Sequence, residues 1–186
     1  MDTLRLLAHP VRVRIVNALR GDRILTTAEL AARLPDVSKA TVYRHVDLLA
    51  KAEVLEVAEE QRVRGAVERH YRLRQDRAAI ALEAARRMTT EDHRRAFASA
   101  VAALVAEFDA YLGRDASDPV ADLVGYRQHA VWLDPAELEA MIGELRAAIA
   151  PRLANDSRPG RTRYLLSPVL FPSEPPTEEG PGQPGR

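Results

Sequence analysis

TTAELAARLPDVSKATVYRHVDLLAKAEVL, residues 26–55, decides the fold. It reads as two helices joined by a tight turn. The first starts at about Ala28, with Leu30 apolar, Ala31 small and Leu34 closing it before Pro35, which cannot continue a helix. Pro35-Asp36 makes the turn, and Ser38 stands where an N-cap hydroxyl accepts from the first free N–H groups. Val42, Val46, Leu49 and Ala50 then recur at helical spacing as a buried stripe. Lys39, Thr41, Tyr43, Arg44 and His45 are expected on the opposite, exposed face. A helix start carrying a hydroxyl, an aromatic ring and cations suits the major groove of DNA. Arg forks onto guanine, Thr and Tyr reach methyls or phosphates, and the helix N-terminus favours an anion. A solvated basic face is the plainer account of the same charges, and the flanking sequence weighs against it.

On the C-terminal side the pattern turns strand-like. Val54, Leu55 and Val57 lead into EEQRVRGAVERHYRL, where Val63, Val67, Tyr71 and Leu73 recur about Gly65. This predicts a β-hairpin with Arg62, Arg64 and Arg69 near its tip. Helix, turn, helix and basic hairpin is the winged-helix order, in which the hairpin touches the nucleic-acid backbone beside the groove-reading helix. Neither half is specific alone; the combination is.

On the N-terminal side, residues 2–20 predict a helix broken at His9-Pro10. Leu4, Leu7, Val11, Ile15 and Leu19 share a stripe, Pro10 opens the main helix and Gly21 ends it. His9 reads as a capping or packing residue. Ile24-Leu25-Thr26 is a short extended piece that in winged helices joins the hairpin in a three-stranded sheet. The net charge is zero, yet residues 1–75 hold 14 Lys and Arg against 10 Asp and Glu, and residues 76–186 hold 13 against 17. The front is mildly basic and the rear acidic, so affinity for nucleic acid would need two subunits. With no cysteine, disulfides and thiolate metal sites are excluded. Charges break every apolar run of the N-terminus, so no signal peptide or membrane span is expected and the default is a cytoplasmic protein.

The run LAHPVRVRIVNAL, followed by LTTAELAARL, SKATVYRHVDLLAKAEVLEV and the hairpin, resembles the ArsR-type winged-helix transcriptional regulators over about residues 4–74. It looks closest to metal-independent members with a C-terminal extension. The resemblance implies a homodimer that represses transcription by placing one recognition helix per subunit in successive major grooves. The family's recognition-helix contacts would fall on Ser38, Lys39, Thr41, Tyr43, Arg44 and His45, and its wing contacts on Arg62, Arg64 and Arg69. Classical metal sensors of this family carry a Cys-containing motif on the first helix of the helix-turn-helix, and this chain departs from that pattern.

Beyond the hairpin, AAIALEAARRM and TTEDHRRAFASAVAALVAEFDAYL predict two helices, the second capped by Thr89 or Thr90 with Glu91 and Asp92 complementing its dipole. Phe97, Val101, Leu104, Val105, Phe108, Tyr111 and Leu112 give it a broad apolar face, for a symmetry mate, for its own domain, or for both. VADLVGYRQHAVWL predicts a strand, Asp134-Pro135 with Glu137 a helix start, and TRYLLSPVLFP a second strand. Tyr126 and Trp132 would share a strand face that lines an effector pocket or fills a core. The tail from residue 172 is rich in Pro, Gly and Glu and is expected to be disordered.

There is no glycine-rich phosphate loop, no GxSxG and no HExxH, and His9, His45, His70, His93 and His129 are dispersed. The sequence therefore points to a non-enzymatic α+β chain without cofactor or metal. Its expected parts are a winged helix-turn-helix over 1–75, dimerisation helices with a strand-helix-strand unit over 76–171, and a tail over 172–186. The expected partners are double-stranded DNA, a second subunit and an unidentified small-molecule effector. A protein–protein adaptor built on the same winged helix is the competing reading.

Overall fold

The computed structural model describes residues 6–63, 66–74 and 86–174. The chain divides into two units, residues 1–122 and 123–186. The first begins with α1 (Pro10–Leu19), opened by Pro10 and capped by His9, whose ring accepts the Val11 N–H at 3.3 Å. It ends where Gly21 takes φ +80°, a left-handed conformation that costs glycine little. A two-residue strand β1 (Leu25–Thr26) runs directly into α2 (Thr27–Arg33). Thr26 and Glu29 form a reciprocal capping box there: the Thr26 hydroxyl accepts the Glu29 N–H, and the Glu29 carboxylate accepts the Thr26 N–H. α3 (Lys39–Lys51) follows, and then a hairpin of β2 (Leu55–Val63) and β3 (Ala66–Leu73).

The sheet has the order β1-β3-β2, all antiparallel, with Leu25 opposite Tyr71 and Arg62 opposite Val67. Register shifts between Val57 and Glu59, leaving Ala58 as a bulge that turns the outer hairpin relative to its base. The core is one cluster. Ile15, Val16 and Leu19 of α1 meet Leu30 and Leu34 from α2 and its end, Val42, Val46 and Leu49 of α3, and Val54, Leu55 and Tyr71 at the sheet base. Each of these α3 positions lies on the stripe expected from helical spacing.

α4 (Thr90–Leu112) packs on α1. Thr89 and Asp92 cap it in the same reciprocal manner as Thr26 and Glu29. Its buried residues, Ser99 and Ala103, are small, and Glu107 on the same side meets Arg14 of α1. The opposite side exposes Phe97, Val101, Leu104, Val105, Phe108 and Leu112. The first predicted helix of this region falls mostly on residues 75–85, outside the described residues, as do Arg64, Gly65 and the tail from residue 175.

The second unit corrects the sequence reading. Its helix, α5 (Pro135–Leu153), starts where Asp134, Pro135 and Glu137 place it, and a capping box joins Asp134 to Glu137. The two flanking strands are not formed. Residues 124–133 and 162–171 form neither helix nor strand, and no residue of α5 is buried. Alternating apolar residues set a strand's faces, but a strand exists only once a neighbouring strand takes its N–H and C=O groups in a ladder, and among the described residues the ladders are those of β1, β2 and β3. Tyr126 and Trp132 are consequently 82% and 79% exposed, and among the described residues they do not fill a core.

Candidate nucleic-acid interface

The start of α3 carries the candidate site. Ser38 takes the N-cap position as its sequence foretold: its hydroxyl accepts the Thr41 N–H at 3.3 Å and donates to the Thr41 hydroxyl at 2.9 Å. These two hydroxyls are thereby committed to holding the first turn in shape. No acidic residue occupies that turn, so the positive end of the helix dipole is not neutralised from within. Lys39, Tyr43 and Arg44 are exposed, Tyr43 by half of its surface. An aromatic edge and two cations beside uncancelled helix N–H groups make a surface for a polyanion with base edges within reach.

His45 does not join them. It is 3% exposed, its Nδ1 accepts from Arg12 Nε at 3.3 Å, and its ring lies 4.4 Å from that of His9. Burial first, then the charges of His9, Arg12 and Arg44, push its pKa down to about 4, so it is neutral at neutral pH. Its Nε2 is buried without a hydrogen-bond partner among the described residues. The expectation that His45 contacts DNA is corrected: it packs the back of α3 against α1. The signal was present in the sequence, because position 45 lies three residues after Val42 and four before Leu49, on the buried stripe.

Beside α3 stands the hairpin. Arg62 is exposed near its tip. Arg69 is exposed too, but its Nε donates to Glu60 across the strands at 2.8 Å, which raises its pKa further. Arg72 is similarly held by Glu56. From Leu55 to Leu73 four Arg are matched by four Glu, so the wing is neutral overall and its cationic character is concentrated toward the tip. Arg64, expected at the tip itself, lies outside the described residues.

A residue the sequence reading missed underpins the site. Arg14 is 2% exposed, yet its guanidinium donates to both oxygens of Asp36 at 2.6 and 2.9 Å and to Glu107 at 3.1 Å. The bidentate pairing holds the Asp36 carboxyl below its ordinary range and raises the Arg14 pKa. One buried cation thus ties α1 to the turn before α3 and to the long helix α4. Nothing in the periodicity of α1 marks it.

Residues 7–58 match the family model of a helix-turn-helix domain, so the first unit carries that domain. Its span runs from just before α1 through the first residues of the wing and includes the whole of α3. A comparison with curated proteins found no match. Among the described residues no helix is long and apolar enough to cross a membrane.

Proposed function

We propose that the chain is a sequence-specific DNA-binding transcriptional regulator of the ArsR type, acting as a homodimer and repressing the genes it binds. The observation that carries this reading is the exposed first half of α3. Lys39, Tyr43 and Arg44 project from a capped helix start free of acids, on a helix-turn-helix whose hairpin stands alongside. Arg44 reads base edges, Lys39 and the helix N-terminus hold phosphate, and Arg62 meets the backbone at the flank.

The dimer reading is supported by the two faces of α4. Small residues, Ser99 and Ala103, serve its own domain, while Phe97, Val101, Leu104, Phe108 and Tyr111 recur at alternating steps of four and three along the other side. That spacing is the seam of a two-helix coiled contact. A two-fold mate across it presents a second reading helix, which the weak net charge of one domain requires for useful affinity.

Selection from a random duplex pool, followed by mobility shift, tests the proposal. The expected product is an inverted repeat with half-sites about one helical turn apart. A pool that shows no enrichment overturns DNA reading and favours the protein–protein adaptor. Enrichment of a lone half-site bound by one chain overturns the dimer.

A further inference from the structure

The second unit is specified locally and unfinished globally. α5 has a full N-terminal capping box, yet Leu138, Leu145 and Leu153 are exposed on it. The irregular segments on either side leave Tyr126, Trp132, Tyr164, Leu166 and Phe171 between 65% and 82% exposed. A helix of this length is marginal in water without a packed face, and so wide an apolar surface is not left open by a stable monomer. We infer that residues 124–171 are completed by a second copy of this chain, whose apolar surface covers these arms and gives them the strand pairing they lack. This deepens the homodimer reading and rests on it, and assigns the second unit its partner.

Three features favour a second copy. Residues 164–166 and 169–171, either side of Ser167-Pro168, put apolar side chains on both faces of an extended segment, with Tyr164, Leu166 and Leu170 on one and Leu165, Val169 and Phe171 on the other. A strand of that kind is buried on both sides, and a unit with one helix and one other extended segment has too few layers to do so. A two-fold mate doubles both counts. Second, the area is sufficient. Tyr126, Trp132, Tyr164 and Phe171 expose two-thirds or more of their surface, and at about 150–250 Å² per ring two copies together bring roughly 1,000 Å². That alone approaches a standard stable interface. Third, the charges are self-complementary. Arg127, Arg161 and Arg163 lie on or next to the arms, and α5 carries Glu137, Glu139 and Glu144 against Arg146 and Arg152, so a second copy brings both signs rather than a single like-charged surface.

Trp132 is the only tryptophan of the chain and reports directly on this. Full-length protein is followed by sedimentation equilibrium together with Trp emission and iodide quenching, without DNA. The expected result is a blue, iodide-protected Trp132 in a species of dimer mass, turning red in step with any dissociation on dilution. Leu166→Glu should weaken dimerisation by about tenfold or more and expose Trp132, and a far-UV spectrum that loses no more than the helix of α5 shows that the first unit still folds. A protected Trp132 in a monomer means the chain covers its own arms and overturns the inference. So does an iodide-accessible Trp132 in an intact dimer, since that dimer forms elsewhere. A pool without enrichment overturns DNA reading and leaves these readouts untouched, whereas a lone half-site bound by one chain overturns the dimer and this inference with it.

Discussion

Arg14 and Asp36 form a bidentate pair, at 2.6 and 2.9 Å, between a buried guanidinium and a carboxylate that is half open to solvent. The pair joins α1 to the turn that aims α3, and the same guanidinium reaches Glu107 of α4. Removing the cation forfeits its packing, but both carboxylates have access to water, so the full penalty of a stranded buried charge does not apply. Arg14→Ala should therefore cost about 2–3 kcal/mol, and Glu107→Gln under ~1 kcal/mol. Urea unfolding of the two variants measures both. Equal losses would show that Glu107, not Asp36, anchors the guanidinium.

The Asp36 carboxyl, held low chiefly by its hydrogen bonds from Arg14, also predicts an acid limb. A carboxyl whose folded pKa is lowered contributes fully above its unfolded value, near pH 4, and loses that contribution as pH falls through the folded value. Asp36→Asn should flatten stability against pH below about pH 4 and leave the neutral range parallel to wild type.

His45 gives a second and separable limb. Its folded pKa of about 4 lies below the ordinary 6.5, so between these values the unfolded chain binds the proton and the folded one does not. Stability should be complete above pH 6.5 and decline toward pH 4, by on the order of 2 kcal/mol. His9, also lowered by burial and by Arg12 and Arg44, adds in the same direction. His45→Gln should remove most of this slope in urea titrations at pH 7.5 and 4.5. A slope unchanged in that variant would assign the effect to His9.

For DNA, Arg44→Ala should cost about 1–3 kcal/mol on the selected site and relax preference at one base position. Arg62→Ala should weaken selected and random duplex alike and, because both subunits lose the contact, reduce the salt slope by about two. Mobility shifts at two salt concentrations separate them. Matching losses on both duplexes for both variants would refute the division between base and backbone contacts.

Much of the first unit was legible because its signals are local. Ser38, Pro10 and Gly21 act through their own backbone neighbours, and each stands in the role its sequence suggested. The stripe of Val42, Val46 and Leu49 follows from helical spacing. His45 was misplaced because residue type was weighed above position: a histidine beside Arg44 reads as polar surface, although its phase puts it inside. Arg14 was illegible for a different reason, since its partners lie 22 and 93 residues away. The segments around α5 failed in a third way. Alternation at Tyr126 and Trp132 encodes a preference for pairing, and the sequence of one chain does not say whether that chain holds the partner.

The small inner face of α4 has a consequence for how such a molecule can change. Ser99 and Ala103 are the buried residues of the long helix where it packs on α1, and a larger side chain at a packed position forces its neighbours to shift. A methylene added there would act as a shim, tilting the outer seam and, in the proposed dimer, altering the span between the two prongs. Target choice would then drift through the tiniest side chains in the protein, with every base-touching residue left as it was.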